Sequence, residues 1–198
     1  MKTQIITIFA ALVLAFGVTN SALAATVKNA DNNYTVLTDV SAINKIEVRG
    51  NVQLYISDGA ADQVKVYNKY YSQSALVQSQ NGVLRIASYS TDKLVVWVTA
   101  NDLRAISAFD NSEVKSFGDI SKIEFDVDLH NQASAKLNID AFSTSLTVND
   151  DAKATLSGNV TEYALNCDRE ENVDHKNLVA GHTSKKQIQV KSLDLADL

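Results

Sequence analysis

Four stretches in the C-terminal half line up at a near-constant spacing, and this limits the available folds more than any other feature. Residues 105–117 (AISAFDNSEVKSF), 126–138 (DVDLHNQASAKLN), 145–157 (SLTVNDDAKATLS) and 164–176 (ALNCDREENVDHK) each read as an apolar strand, a polar loop and a second alternating strand. Ala108, Leu129, Val148 and Cys167 fall in one column, and Val114, Ala135, Ala154 and Val173 in another, with steps of 21, 19 and 19 residues. A fixed period with matching apolar columns is the mark of a solenoid, in which stacked coils bury side chains that no single coil can bury. The small residues of the second column suit a tight corner.

The N-terminal half alternates as well. Ile46–Arg49 and Val52–Ser57 have period 2 and are separated by Gly50-Asn51; Asp58-Gly59 marks a turn before Val64–Tyr67. Asn81-Gly82 is a hairpin turn signal between Leu76-Val77 and Val83–Ile86. Leu94–Val98 is the most apolar strand and is predicted to be central. Nothing sustains the helical period of about 3.6 residues, so the chain is predicted to be all-β. The absence of Pro fits a chain whose N–H groups mostly join ladders. The period then predicts a β-solenoid with coils of roughly 20 residues. A β-sandwich with evenly spaced strands is the other fold that fits.

The first 24 residues read as an address. Lys2 precedes an apolar run from Ile5 to Val18, and Ala22-Leu23-Ala24 offers the small-x-small pattern of a cleavage site. The run is short for a membrane span of about 20 residues. Residues 1–24 are therefore predicted to be a secretory signal peptide, residues 25–40 a polar lead-in with a weak strand pattern at Tyr34–Leu37, and residues 41–198 a single β-solenoid domain. No second segment of spanning length follows, so no membrane span is expected after cleavage. The expected location is the periplasm, the outer-membrane surface or the exterior.

Composition narrows the function. One Cys excludes a disulfide scaffold, and one Cys with three His is a thin pool for zinc. A net charge of −5 without a basic run argues against nucleic acid. Cys167 shares the inward column with apolar residues and is expected to be core filler. His130, His175 and His182 have no metal-ligand spacing and are expected at the surface. Asp110, Asp126, Asp128, Asp150 and Asp151 sit on loops and strands where stacking could bring carboxylates together for calcium. The aligned loops carry Asn131 and Arg169 at the same column, which breaks such a row. No cofactor and no metal site is expected. Lys185-Lys186 reads as a solvated turn. Tyr67, Tyr70, Tyr71 and Tyr89 cluster around the Asn81-Gly82 turn. If the chain has a binding face, Tyr70 and Tyr71 are the candidate ligand-binding residues, because Tyr offers an apolar body and a polar tip to sugars or proteins.

The strand pair of residues 43–66, the Asn-Gly-x-Leu-x-Ile segment Asn81–Ile86, the Leu94–Val98 strand and the loops Phe109–Ser112 and Asn149–Ala152 together resemble the putative auto-transporter adhesin, head GIN domain family, over roughly residues 40–180. These are exported bacterial proteins, common in Bacteroidetes and found in other Gram-negative bacteria. The resemblance implies a right-handed parallel β-helix and no catalytic residues. Where the family often has Ser-Gly-Ala or Ser-Gly-Ser, this chain has Asp-Asn-Ser, Asn-Gln-Ala and Asp-Asp-Ala. Asn and Asp tolerate left-handed backbone better than most residues.

The function expected from these features is an exported, non-catalytic binding module of the cell envelope, adhesin-like, with a glycan or protein surface as partner. The alternatives are a polysaccharide-active β-helix enzyme and a self-assembling structural periplasmic protein. The exposed end of a coil stack needs a cap. The lead-in, the tail Ser192–Leu198 or a homo-oligomer would provide it.

Overall fold

The computed structural model describes residues 26–27, 34–37, 40, 42–67 and 75–187. The segment read as a signal peptide lies outside them. Fourteen strands are present: β1 Thr26–Val27, β2 Thr35–Leu37, β3 Lys45–Gly50, β4 Val52–Asp58, β5 Gln63–Val66, β6 Ala75–Gln80, β7 Val83–Ser88, β8 Leu94–Ala100, β9 Ala105–Ala108, β10 Glu113–Ser116, β11 Ile120–Leu129, β12 Ser134–Val148, β13 Lys153–Cys167 and β14 Val173–Gln187. Among the described residues a 3-10 turn spans Glu170–Asn172.

All fourteen strands join one sheet. Its main path runs β1-β2-β5-β8-β4-β10-β12-β11-β9-β3-β7-β6, with β13 on the other edge of β12 and β14 beyond it. The first part of β12 lies beside β10 and the rest beside β11. Two wings of short strands therefore fan out from a set of long ones. Burial along the long strands changes phase at the junction. In β12 the inward residues are Ala135, Leu137, Ile139 and Ala141, then Thr144, Leu146 and Val148. A shift of one residue turns the pleat over, so the strand bends there and the wings face each other. Ile123, Phe142 and Thr161 sit on the outside of this bend.

The result is a curled, mixed half-barrel, which corrects the sequence-based expectation of a right-handed parallel β-helix or β-solenoid. Strands β1, β2, β5 and β8 pair antiparallel in succession, and so do β6 and β7. A parallel β-helix needs every strand to lie parallel on the next coil, and these strands do not. The β6–β7 pair is the hairpin that Asn81-Gly82 signalled, with both residues at positive φ (52° and 79°) as its turn requires.

The aligned columns themselves are real neighbours. Leu129 pairs in register with Ala108 and with Val148, which pairs with Cys167. Val114, Ala135, Ala154 and Val173 form the second continuous row. The period reported local parallel pairing, not the architecture built from it. The lead-in also contributes, because β2 extends the sheet beyond β5.

The curl encloses the core. Ile46, Leu54, Leu84, Ile106, Phe125 and Leu137 are among its fully buried side chains, each contributing about 1.5–3 kcal/mol by leaving water. Gly158 lies where a long strand crosses close to its neighbour. It has φ 105°, and a Cβ there would fall 2.1 Å from the Ile139 carbonyl oxygen.

Candidate functional site

The loops between paired strands form a row with one repeating hydrogen bond. Asp110, Asn131 and Asp150 all adopt φ 61°, the left-handed conformation that their short polar side chains tolerate. Asp110 Oδ2 accepts from Gly50 N at 3.2 Å, Asn131 Oδ1 from Asp110 N at 3.2 Å, Asp150 Oδ2 from Asn131 N at 3.0 Å, and Asp168 Oδ2 from Asp150 N at 2.8 Å. Each side chain satisfies the backbone of the loop beneath it. Of the acidic residues weighed for calcium, Asp110 and Asp150 are thus structural acceptors, while Asp128 pairs with His130 and Asp151 with Arg169. Among the described residues, no group of three or more His, Cys, Asp or Glu could hold a metal ion.

Beside this row runs a stack of flat groups. The Arg49 guanidinium lies 3.8 Å from the centre of the Phe109 ring, and Phe109 stacks on His130 at 4.9 Å. His130 Nε2 is 2.9 Å from Asp128 Oδ2. Tyr89 is largely exposed and donates its hydroxyl to Asp110 Oδ2, which raises the phenol above its ordinary range.

A different surface has the character of a binding face. It is the outer side of the wing β5-β8-β4-β10 and the start of β12. Register places Lys65 beside Trp97, Trp97 beside Tyr55, Tyr55 beside Lys115, and Lys115 beside Lys136. These are the outward phases of their strands, so one row crosses five strands as cation, ring, ring, cation, cation. Tyr55 stacks on Trp97 with centroids 5.4 Å apart, and Phe117, 64 % exposed, packs against Trp97 at 4.9 Å. Trp97 Nε1 donates to Ser57 Oγ at 3.3 Å, and Ser57 meets Thr99 at 3.0 Å. The rings are therefore held in place.

Charge on this face is organised around one carboxylate. Glu113 accepts from Lys93 and, at 3.1 Å, from Lys115. The Lys93 hydrogen bond, followed by that of Lys115, holds the Glu113 pKa below its ordinary value against the opposing effect of burial. The other wing differs: Glu124, Asp126 and Asp128 face outward from β11. Burial, followed by repulsion from Glu124, raises the Asp126 carboxyl.

Tyr70 and Tyr71 lie outside the described residues. Tyr67 packs on Tyr34 at 5.2 Å, near the edge of the aromatic face, whereas Tyr89 lies at the loop row. The three histidines are not brought together as a site: His130 is in the stack, His175 meets Tyr163 edge-on, and His182 is exposed on β14. Cys167 is buried, as its column indicated. Sequence reasoning did not single out Tyr55, Trp97 and Phe117. The outward strand phase of Tyr55 and Trp97 was readable, but the pairing of β4 with β8, 42 residues on, was not.

The fold is an all-β half-barrel whose outer face carries aromatic and lysine side chains. Residues 42–189 match the model of the family described as putative auto-transporter adhesin, head GIN domain, and the chain belongs to that family. Solved structures share the fold. A putative adhesin from Bacteroides fragilis superposes with a TM-score of 0.67 at 14% identity, covering 78% of this chain and 77% of that one. A putative adhesin from Parabacteroides distasonis gives 0.57 at 17% identity, covering 79% of each chain. A protein from the same species described as a putative lipid binding protein gives 0.52 at 10% identity, covering 78% of each. No curated protein matches the chain. Among the described residues, no helix is long and apolar enough to cross a membrane.

Proposed function

We propose that this protein is an exported, non-catalytic, adhesin-like binding module that works in the periplasm or on the outer surface of a bacterial cell. Family membership supports a surface role. The observation that carries the reading is the Tyr55–Trp97–Phe117 group, placed on the solvent side of a hydrogen-bonded sheet with polar groups on either side. Aromatic side chains on a surface are the usual anchors of recognition. Their fixation to the sheet lowers the ordering cost of binding. The carboxylates of the loop row are engaged with backbone N–H groups, which suits anchoring better than acid–base chemistry.

The test is a mixed array of glycans, extracellular-matrix proteins and lipids probed with the purified protein and with Phe117→Ala. Saturable capture that weakens in the variant is the expected result. Absence of capture across the array overturns the reading.

A further inference from the structure

We infer that the outer face of β5, β8, β4, β10 and the start of β12 binds an anionic polysaccharide, a linear chain of uronate type. The inference rests on the binding-module reading above and names its ligand class.

Three observations carry it. First, cations line up on this face. The chain has 23 acidic and 18 basic residues, yet Lys65, Lys115 and Lys136 share one in-register row on this face. Lys93 and Lys153 border the row; Glu113 lies beside it and Asp174 at its far end, with Asp151 next to Lys153 and Asp119 bonded to Asn138 at the margin. On the opposite wing Glu124, Asp126 and Asp128 of β11 alternate with no cation, while Lys45, Arg49 and Arg85 share β3 and β7 with Glu47. A row of cations of this kind attracts a polyanion.

Second, the spacing suits a polymer. Lys65 and Lys115 are three strand steps apart, about 14 Å, and Lys115 and Lys136 one step, about 4.8 Å. The rings of Trp97 and Tyr55 fill the interval between the first two lysines. A sugar chain laid across the strands meets a cation, then two rings, then cations again. Its carboxylates pair with ammonium groups and its apolar ring faces contact aromatic carbon. The flanking Gln53, Ser57 and Thr99 offer hydrogen bonds to hydroxyl groups.

Third, the composition disfavours the other surfaces that would recognise lysines. Lys and Ser are depleted in protein–protein interfaces, where large hot-spot side chains dominate. An interfacial membrane anchor needs a continuous protruding apolar face. Among the described residues of this face, Phe117 is the strongly exposed large apolar side chain, and Trp97 is half-buried with its N–H turned to Ser57.

The experiment is calorimetric titration of the purified protein with sodium polygalacturonate, with dextran as a neutral polymer and phosphatidylglycerol vesicles as an anionic lipid surface. Polygalacturonate is expected to bind and dextran not to. Added salt should weaken binding, because exposed charges are screened beyond about 8 Å at physiological ionic strength. The variant Lys65→Gln/Lys115→Gln/Lys136→Gln should lose roughly tenfold or more in affinity, as a loss of several exposed ion pairs implies. Phe117→Ala should lose several-fold. Lys176→Gln/Lys186→Gln on β14 should bind as the parent does. Thermal unfolding of each variant checks that the fold is intact.

Equal binding of dextran and polygalacturonate overturns the inference, as does full affinity in the triple variant. Binding to vesicles without binding to the polymer also overturns it, in favour of a lipid surface. If polygalacturonate fails but another array ligand is captured through Phe117, the ligand class falls and the binding module stands. If nothing is captured at all, both fall.

Discussion

Asp150 Oδ2 accepts a hydrogen bond from the backbone N–H of Asn131 at 3.0 Å, across 19 residues of sequence. Both residues have φ 61°. One side chain therefore provides a tolerated left-handed turn in its own loop and an acceptor for the loop below. The two roles are separable by substitution. Asp150→Asn should be nearly neutral, since an amide oxygen accepts as Asn131 already does. Asp150→Gly should lose the hydrogen bond, about 1 kcal/mol. Asp150→Ala should lose more, by about 1 kcal/mol or above, through backbone strain. Urea denaturation checks the order, and equal stability of Gly and Ala variants would refute the strain argument.

Gly158 answers a different need. Its φ of 105° and the 2.1 Å approach of the Ile139 oxygen leave no room for a methyl group. Gly158→Ala should cost about 1–3 kcal/mol from the backbone conformation alone, and the clash adds to it. The urea midpoint should fall with little change in slope.

The bend separates two kinds of aromatic residue. Phe125 is fully buried, and Phe142, 17 positions later, is 58 % exposed on the outside of the curl. Phe125→Ala should cost about 3–5 kcal/mol. Phe142→Ser should change stability by no more than about 0.5 kcal/mol. A large loss at Phe142 would mean that the outer ridge is packed rather than solvated.

Acid should weaken the molecule through Glu113. Its folded pKa is held below the ordinary 4.5 by Lys93 first and Lys115 next. A depressed carboxylate pKa contributes stability above the unfolded value and loses it as pH falls through the folded one. The contribution is therefore fully present at neutral pH and declines as pH falls below about 4.5 toward the lowered folded value. Because the site is solvated, Glu113→Gln should cost no more than about 1 kcal/mol at pH 7. The difference between parent and variant should shrink as pH falls from 7 to 3, which thermal unfolding at the two pH values measures.

Cys167 should be chemically silent in the folded state. Burial, followed by the nearby Glu170, raises its thiol above the ordinary range and excludes reagents. Labelling with a thiol reagent at pH 8 should proceed only as the protein unfolds and should accelerate with urea. Stoichiometric labelling of the native protein would refute this.

Much of the local structure was legible in the residues. Alternation marked most of the strands, Asn81-Gly82 marked the hairpin, and the columns through Val148 and Ala135 named true neighbours. Those signals are local, because a period-2 face or a left-handed turn depends on a few adjacent residues. The same reading failed at the architecture. Antiparallel pairing of β2, β5 and β8 leaves no mark in the strands themselves, since an apolar inner face looks alike in either direction. The candidate site was hidden for the same reason. Tyr55 and Trp97 are 42 positions apart, and only pairing β4 with β8 sets their rings side by side.

The residues alone set the inward phase of most strands, the left-handed hairpin turn at Asn81-Gly82 and the all-β class. They did so through steric and hydrophobic preferences that act within a few residues. Tertiary structure decided the curl, the mixed direction of the sheet and the meeting of aromatic and lysine side chains on one face. These depend on which distant strands pair, and that choice is made by burying the whole core at once.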